Sequence, residues 1–443
     1  MPTSPTRSGK GQAMRCLLRS AAIVALVVGA GFTAAQADLL EYVAKPDAAY
    51  KWDKVSERDL GQVTLTNLHM VSQVWQGITW EHRLAVYRPK ALAHPDTAAL
   101  LITGGNGGPT EDQIATAIAT QTGCVMAILF NIPNQPLYGG KTEDALIAYT
   151  FAQYLQTGDE SWPLLFPMTK SAVRAMDAVQ AFAMQDQQQG ITRFVVTGAS
   201  KRGWTTWLTA IADPARVAAI MPMVYDNLDL GRQMPHQLEV WGQYSEQIAD
   251  YTRRGLQQQF ATEKGRKLAM MVDPYTYRDR VTMPKLIING TNDPYWAQDA
   301  LNIYWNDLKG DKCVLYDPNC GHGLQDVTRA LGAAAAFTRC IASREPLPKM
   351  NWKHSDDGTN ARLQIRAGPG AKEARLWVVQ SATQDFRKGT WVSVPMTQSG
   401  AEFVGETPKP KTGFAAVFGE VTFEQEGRQF SLSTQIRILG APR

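Results

Sequence analysis

The sequence is short of several things, and each shortage removes a class of function. Cysteine is scarce, with five in 443 residues, and none of them stands at CxxC spacing. A dithiol redox centre and a zinc ribbon therefore have no support. HExxH and EF-hand loops are missing, so neither metal nor cofactor is expected. Gly139-Gly140-Lys141-Thr142 resembles the end of a phosphate-binding loop, but Gln135 stands where that loop needs its first glycine. No apolar run approaches the roughly 20 residues that span a bilayer. Excess charge of one sign is lacking too. Of the 45 basic residues, Arg7, Lys10, Arg15 and Arg19 lie in the first 37 positions, which hold no acid; the remainder carries 41 basic against 41 acidic. A nucleic-acid partner and an anionic membrane surface are not expected for a chain so balanced.

Those first residues have an order of their own. A basic lead is followed by the apolar stretch from Ala21 to Val28 and then by Ala35-Gln36-Ala37. This is the pattern of a secretory signal, so residues 1–37 are expected to be removed and the protein to reach the periplasm or the medium without a membrane anchor. Four cysteines would remain. In an oxidising compartment Cys313 and Cys320 are the most local pair, with four buried free thiols as the alternative.

About 400 residues exceed one small core, which predicts two domains. From residue 98 to 340, short apolar runs such as Val125–Phe130, Phe194–Thr197 and Leu286–Ile288 alternate with amphipathic helical patterns. Strands buried on both faces and separated by helices predict an α/β fold with a mostly parallel sheet. Residues 38–97 are expected to add an antiparallel edge, and 228–283, which lack a strand pattern, a helical lid. Beyond Pro346-Leu347-Pro348 the pattern alternates apolar with polar, as in Ala361–Arg366 and Ala374–Val379. That predicts a C-terminal β-sandwich over 346–443 beside a main domain of 38–345.

The chemistry centres on Val195-Val196-Thr197-Gly198-Ala199-Ser200-Lys201-Arg202-Gly203-Trp204. A strand enters Gly-x-Ser and a helix leaves it, the arrangement that exposes a nucleophilic serine on a sharp turn. The usual second glycine, two places after the serine, is Arg202, with Gly203 one place later. A serine needs a base and an orienting acid. His322, in Asn319-Cys320-Gly321-His322-Gly323, follows the last strand pattern. Asp293 follows the strand 285–289, and Asp226, past the preceding strand, competes with it as the acid. The oxyanion is expected to meet the backbone N–H of Lys201 and the loop Gly104-Gly105-Asn106-Gly107-Gly108, with Gly105 and Asn106 as donors and Arg202 as a possible substrate contact. Trp241, Tyr244, Tyr275 and Tyr277 either shape an acyl or sugar pocket or pack within the lid. Asn289-Gly290-Thr291 matches a glycosylation sequon but falls at a buried strand end.

Gly-Ala-Ser-Lys-Arg-Gly-Trp-Thr-Thr-Trp-Leu from Gly198, Pro133–Leu137, Glu143–Thr150 and Pro167–Lys170 resemble the signature of the PhoPQ-activated pathogenicity-related protein family. The resemblance implies an α/β-hydrolase fold, secreted proliferation-repressor relatives in eukaryotes, and Ser200, Asp293 and His322 as the triad, with Arg202 a family trait. Together these readings predict a serine hydrolase acting on a small-molecule ester or peptide, of carboxylesterase type. The alternative is a secreted signalling or binding protein on the same scaffold.

Overall fold

A computed structural model describes residues 34–440; most of the expected signal segment lies outside them. Helix α1 (Ala34–Ala44) crosses the expected cleavage point and sets Leu39 and Val43 into the core. Strands β1 (Lys51–Asp59), β2 (Val63–Trp75) and β3 (Ile78–Pro89) form the antiparallel edge. Then come β4 (Thr97–Ile102), α2 (Pro109–Thr122), β5 (Val125–Leu129), α3 (Glu143–Thr157), α4 (Leu165–Gln187), β6 (Arg193–Ala199), α5 (Lys201–Ala212) and β7 (Val217–Met223). The sheet runs β1-β2-β3-β5-β4-β6-β7, with parallel pairing from β5 onward, and continues through β8 (Lys285–Gly290) and β9 (Lys312–Asp317).

Burial on both faces explains the composition of the central strands. All five residues of β5 are buried. Ala127 and Leu129 face the core shared with α3, α4 and α5, while Met126 and Ile128 face α2 on the other side. Between β7 and β8 the chain makes the expected lid: α6 (Leu230–Trp241), α7 (Ala249–Thr252), α8 (Leu256–Gln259) and α9 (Glu263–Val272), joined by 3-10 turns. After β9, α10 (Val327–Ser343) packs on the α2 face. Sheet order, lid position and the helix-flanked parallel core are those of an α/β-hydrolase. No helix among the described residues is long and apolar enough to cross a membrane.

The C-terminal region is joined to the main sheet. It holds β10 (Met350–Asp356), β11 (Asn360–Ala367), β12 (Ala371–Ser381), β13 (Val392–Pro395), β14 (Thr397–Ser399), β15 (Glu402–Pro408), β16 (Phe414–Gln425), β17 (Arg428–Ser433) and β18 (Arg437–Gly440), in two facing sheets. Leu363, Ile365 and Phe403 of one sheet meet Leu376, Val417 and Val421 of the other. Yet the second sheet does not stand apart. β17 pairs with β9 at Ser433 and Val314, and Ser433 Oγ accepts the Tyr316 N–H at 3.0 Å. β1 to β9 thus continue through β17, β16, β12 and β13 as one sheet, and residues 34–440 cluster as one compact unit. An alternating pattern reveals strands but not which neighbour their edge will meet.

The four described cysteines are free thiols, so the Cys313–Cys320 bridge is absent. Burial pushes the Cys313 thiol up to about 12 and Cys124 up to about 11. Asn289 is buried with its Nδ2 donating to Asp226 at 2.9 Å, which leaves no room for a glycan.

A chain ended after Glu345 would bare β9 as an unpaired edge and expose the apolar face of α10. Such a truncation is expected to aggregate rather than give a soluble hydrolase domain, as read by size-exclusion chromatography. A monodisperse product melting at the full-length temperature would contradict the continuous-sheet account.

Candidate active site

The serine turn is built by crowding. Ser200 adopts φ 59° and ψ −123° between β6 and α5, in the left-handed half of backbone space that a serine rarely occupies. Such strain costs roughly 1–3 kcal/mol and persists only where neighbours over-determine it. Here the Ser200 N–H donates to Met223 O at 2.9 Å, and the Trp204 N–H donates back to Ser200 O at 3.0 Å. Gly203 explains the displaced glycine: a Cβ there would lie 2.8 Å from Met223 O and 3.0 Å from Tyr225 Cβ. The close approach of α5 to β7 falls at 203, so position 202 is free to carry a long side chain.

Arg202 uses that freedom for structure. Its guanidinium is buried, donates from Nε to Ile132 O, and forks onto Glu143 with two bonds of 2.6 Å. This corrects the expectation of a substrate contact: these donors are already engaged inside the fold. Burial would raise the Glu143 carboxyl, but the hydrogen bonds and charge of Arg202, helped by Gln135 and Lys201, outweigh it and hold Glu143 at about 2. Lys201 Nζ sits 2.8 Å from Asp144, which also accepts from Tyr251 at 2.9 Å and Tyr295 at 3.3 Å. Glu143, Asp144 and Tyr295 were not singled out from the sequence, although the two acids lie in the Glu143–Thr150 motif.

The remaining groups converge on Ser200. His322 Nε2 lies 2.8 Å from Ser200 Oγ, and His322 Nδ1 lies 2.7 Å from Asp293 Oδ2. The other Asp293 oxygen, Oδ1, accepts the Tyr295 N–H at 2.8 Å, and the Tyr295 ring stacks on the imidazole with centroids 4.0 Å apart. The acid loop and the histidine loop are tied together. Asn292 N donates to Cys320 O at 2.9 Å, and a Cβ at Gly290 would fall 2.4 Å from that same oxygen. Both loops are also gripped by the segment that joins β12 to β13. Asn292 Nδ2 donates to Gly389 O at 2.7 Å, and Asn319 Oδ1 accepts the Trp391 N–H at 2.7 Å.

Asp226 does not reach the imidazole. It is buried, accepts from Tyr304 at 2.6 Å and Asn289 at 2.9 Å, and burial with the nearby Asp293 and Asp299 pushes it up to about 7 despite the Tyr304 bond. The glycine loop lies against the first turn of α5, where a Cβ at Gly104 would clash with the Arg202 guanidinium. The Gly105 N–H is turned towards Thr103 Oγ1 at 3.3 Å, and the Asn106 carbonyl accepts from Arg83 at 3.1 Å. At the start of α5 the N–H groups of Lys201, Arg202 and Gly203 have no carbonyl one turn back within the helix.

A cleft opens beside Ser200. The lid aromatics singled out from the sequence do not line it. Tyr277 is in the core, Trp241 lies under the Arg387 guanidinium, and Tyr275 packs on Arg278. The walls are instead Phe151, Trp204, Leu230, Met234, Leu256 and Phe260, with Asp144, Lys201 and Tyr295 among the polar groups. Residues at helical spacing advertise a buried face without saying whether it meets core or cavity.

Among the described residues no group of three or more His, Cys, Asp or Glu side chains could hold a metal ion.

Removing the Arg202 fork should be measurable as stability. Arg202→Ala is expected to cost about 2–3 kcal/mol in urea unfolding at pH 7, less than a fully buried pair would because the Glu143 side chain is 37% exposed. Arg202→Lys should recover only part, since an ammonium cannot bind both carboxylate oxygens in a fixed fork. Glu143 titrates in the fold at about 2, below its ordinary 4.5. Its contribution is therefore complete above pH 4.5 and lost as pH falls through about 2, so the wild-type advantage should shrink over that window. A difference within about 0.5 kcal/mol at pH 7 would rule out the clamp.

The chain is similar to known proteins in sequence and in structure. The chain is 32% identical over 376 residues to autocrine proliferation repressor protein A of Dictyostelium discoideum, covering 78% of this chain and 75% of that protein. Acetyl xylan esterase 1 from Thermoanaerobacterium sp. JW/SL YS485 is similar in structure, at 14% identity and a TM-score of 0.49, over 69% of this chain and 92% of the other. An S-formylglutathione hydrolase from Agrobacterium tumefaciens is similar at 15% identity and a TM-score of 0.45, over 66% and 100%. With TM-scores below 0.5, neither adds to what strand order and the serine turn establish. The family model for PhoPQ-activated pathogenicity-related protein matches residues 39–387, and the chain belongs to that family.

Proposed function

We propose that the protein is an exported serine hydrolase of carboxylesterase type, with Ser200, His322 and Asp293 as its triad. One observation carries the reading: the unbroken path from Ser200 Oγ through both imidazole nitrogens to Asp293, with contacts of 2.8 and 2.7 Å. In the reaction Ser200 Oγ attacks the ester carbonyl while His322 takes its proton. His322 then returns that proton to the leaving oxygen as the carbon–oxygen bond breaks, and water releases the acyl group by the same route. Asp293 holds the imidazole in the required tautomer. The Lys201 N–H, aided by Gly105 and Asn106 when substrate orders the glycine loop, stabilises the tetrahedral oxyanion. Export rests on the N-terminal pattern, and a mature chain starting at Asp38 keeps the buried Leu39 and Val43.

A second reading takes support from the name of the Dictyostelium relative: a secreted regulator on a hydrolase scaffold. One measurement separates the two. A fluorophosphonate probe should label the mature protein and fail on Ser200→Ala and His322→Ala. Folded wild-type protein that resists the probe would remove the enzyme reading. Asp293→Asn is expected to lower kcat by about 10⁴-fold, as loss of the orienting acid does elsewhere. Asp226→Asn should leave most of the rate, and a larger loss there would make Asp226 the acid.

A further inference from the structure

The turn that carries Asp293 is short of main-chain partners, and the start of the lid supplies them. Among the described residues no backbone N–H reaches Pro294 O or Tyr295 O, the two carbonyls that follow the acid. Side chains bind both instead. Ser245 Oγ donates to Pro294 O at 2.7 Å, and Gln237 Nε2 donates to Tyr295 O at 3.0 Å. The two donors are themselves linked, because the Ser245 N–H donates to Gln237 Oε1 at 3.1 Å. Both residues are buried, so these bonds have no competing solvent on the lid side. α6 is tied to the same segment at two further points. Gln233 Nε2 donates to Ala300 O at 3.1 Å, and His236 Nε2 lies 2.8 Å from Asp299 Oδ1.

What Gln237 and Ser245 hold is the turn on which the acid and base are built. The Tyr295 N–H binds Asp293 Oδ1 at 2.8 Å while Asp293 Oδ2 meets His322, and the Tyr295 ring stacks on that imidazole. A shift of the two carbonyls therefore moves both the acid and the ring against which the base is packed. Neither Gln237 nor Ser245 lines the cleft beside Ser200, so any effect on the reaction runs through this turn. We propose that Gln237 and Ser245 are positioning residues for the Asp293–His322 pair, and that the first helix of the lid is a fixed brace on the acid turn. This rests on the serine hydrolase reading and adds to it two residues that act at a distance. Reacting groups must be held within a fraction of an ångström, and side chains behind them supply that precision.

The test compares Gln237→Met and Ser245→Ala with Gln233→Met in the mature protein. Gln233 is equally buried on the same helix, but its bonds go to Leu228 O and Ala300 O, away from the acid turn. It therefore reports the loss of buried lid bonds alone. The first readout is the rate of fluorophosphonate labelling, with reactive sites counted at the end point, beside kcat and KM for p-nitrophenyl acetate. Gln237→Met should slow labelling and lower kcat by about tenfold, with KM changed by less than about twofold. Ser245→Ala, which loses one bond to the turn and little bulk, should slow labelling by about threefold and decides the matter if Gln237→Met does not fold. Gln233→Met should melt earlier yet label within about twofold of wild type. The second readout needs no turnover. Hydrogen exchange in peptides covering residues 292–296 should quicken by about tenfold in Gln237→Met and stay unchanged in Gln233→Met. Exchange and labelling unmoved by both turn variants would fell this inference alone, and so would equal slowing by Gln233→Met. Quickened exchange in the turn variants, with a wild type that resists the probe, would keep the brace and fell the hydrolase reading alone.

Discussion

Everything in the site follows from the backbone crowding that forces Ser200 into a positive φ. β6 must end, α5 must begin, and β7 must lie close enough for Met223 O to bind the serine N–H. Only a residue without a side chain fits where α5 crosses β7, and that residue is Gly203. Once this contact is set, the serine stands between the carboxyl end of β6 and the start of α5. Placing the glycine one position later than usual releases position 202, and Arg202 uses it to clamp Glu143 at the start of α3.

The second constraint is the joining of two loops. Gly290 lets the acid loop pass within backbone contact of Cys320, so Asp293 and His322 are positioned relative to one another before either meets Ser200. The segment that joins β12 to β13 then closes on both, through Gly389 on Asn292 and Trp391 on Asn319. Arg387 in the same segment reaches the lid, with its guanidinium over Trp241 and 3.2 Å from Glu246. What reads in sequence as a separate C-terminal sandwich thus also holds the loops bearing Asp293 and His322.

Much of this was legible. The buried runs of β4 to β9 have no polar face to hide, and helices between parallel strands repeat at 3.6 residues. The turn at Ser200 has a local cause, written in Gly198 and Gly203. The loops bearing Asp293 and His322 were legible by their order along the chain. Less readable were Glu143, Asp144 and Tyr295, because their roles depend on partners more than 25 residues away. Whether the lid aromatics pack or line the cleft was open for a related reason: an aromatic at helical spacing has the same pattern whether it faces core or cleft.

By itself the sequence determined the α/β-hydrolase layers, the serine turn, and one histidine placed to serve it, since each depends on neighbours within a few residues or on strand order. The sequence favoured Asp293 over Asp226 as the acid, and the fold sets Asp293 Oδ2 2.7 Å from the imidazole while Asp226 is buried against Tyr304 and Asn289. Tertiary structure alone turned Arg202 from a candidate ligand contact into a clamp and fused the C-terminal strands to β9. Those outcomes hang on which buried charge finds which partner, and on which strand edge is left open. Only a folded chain specifies these.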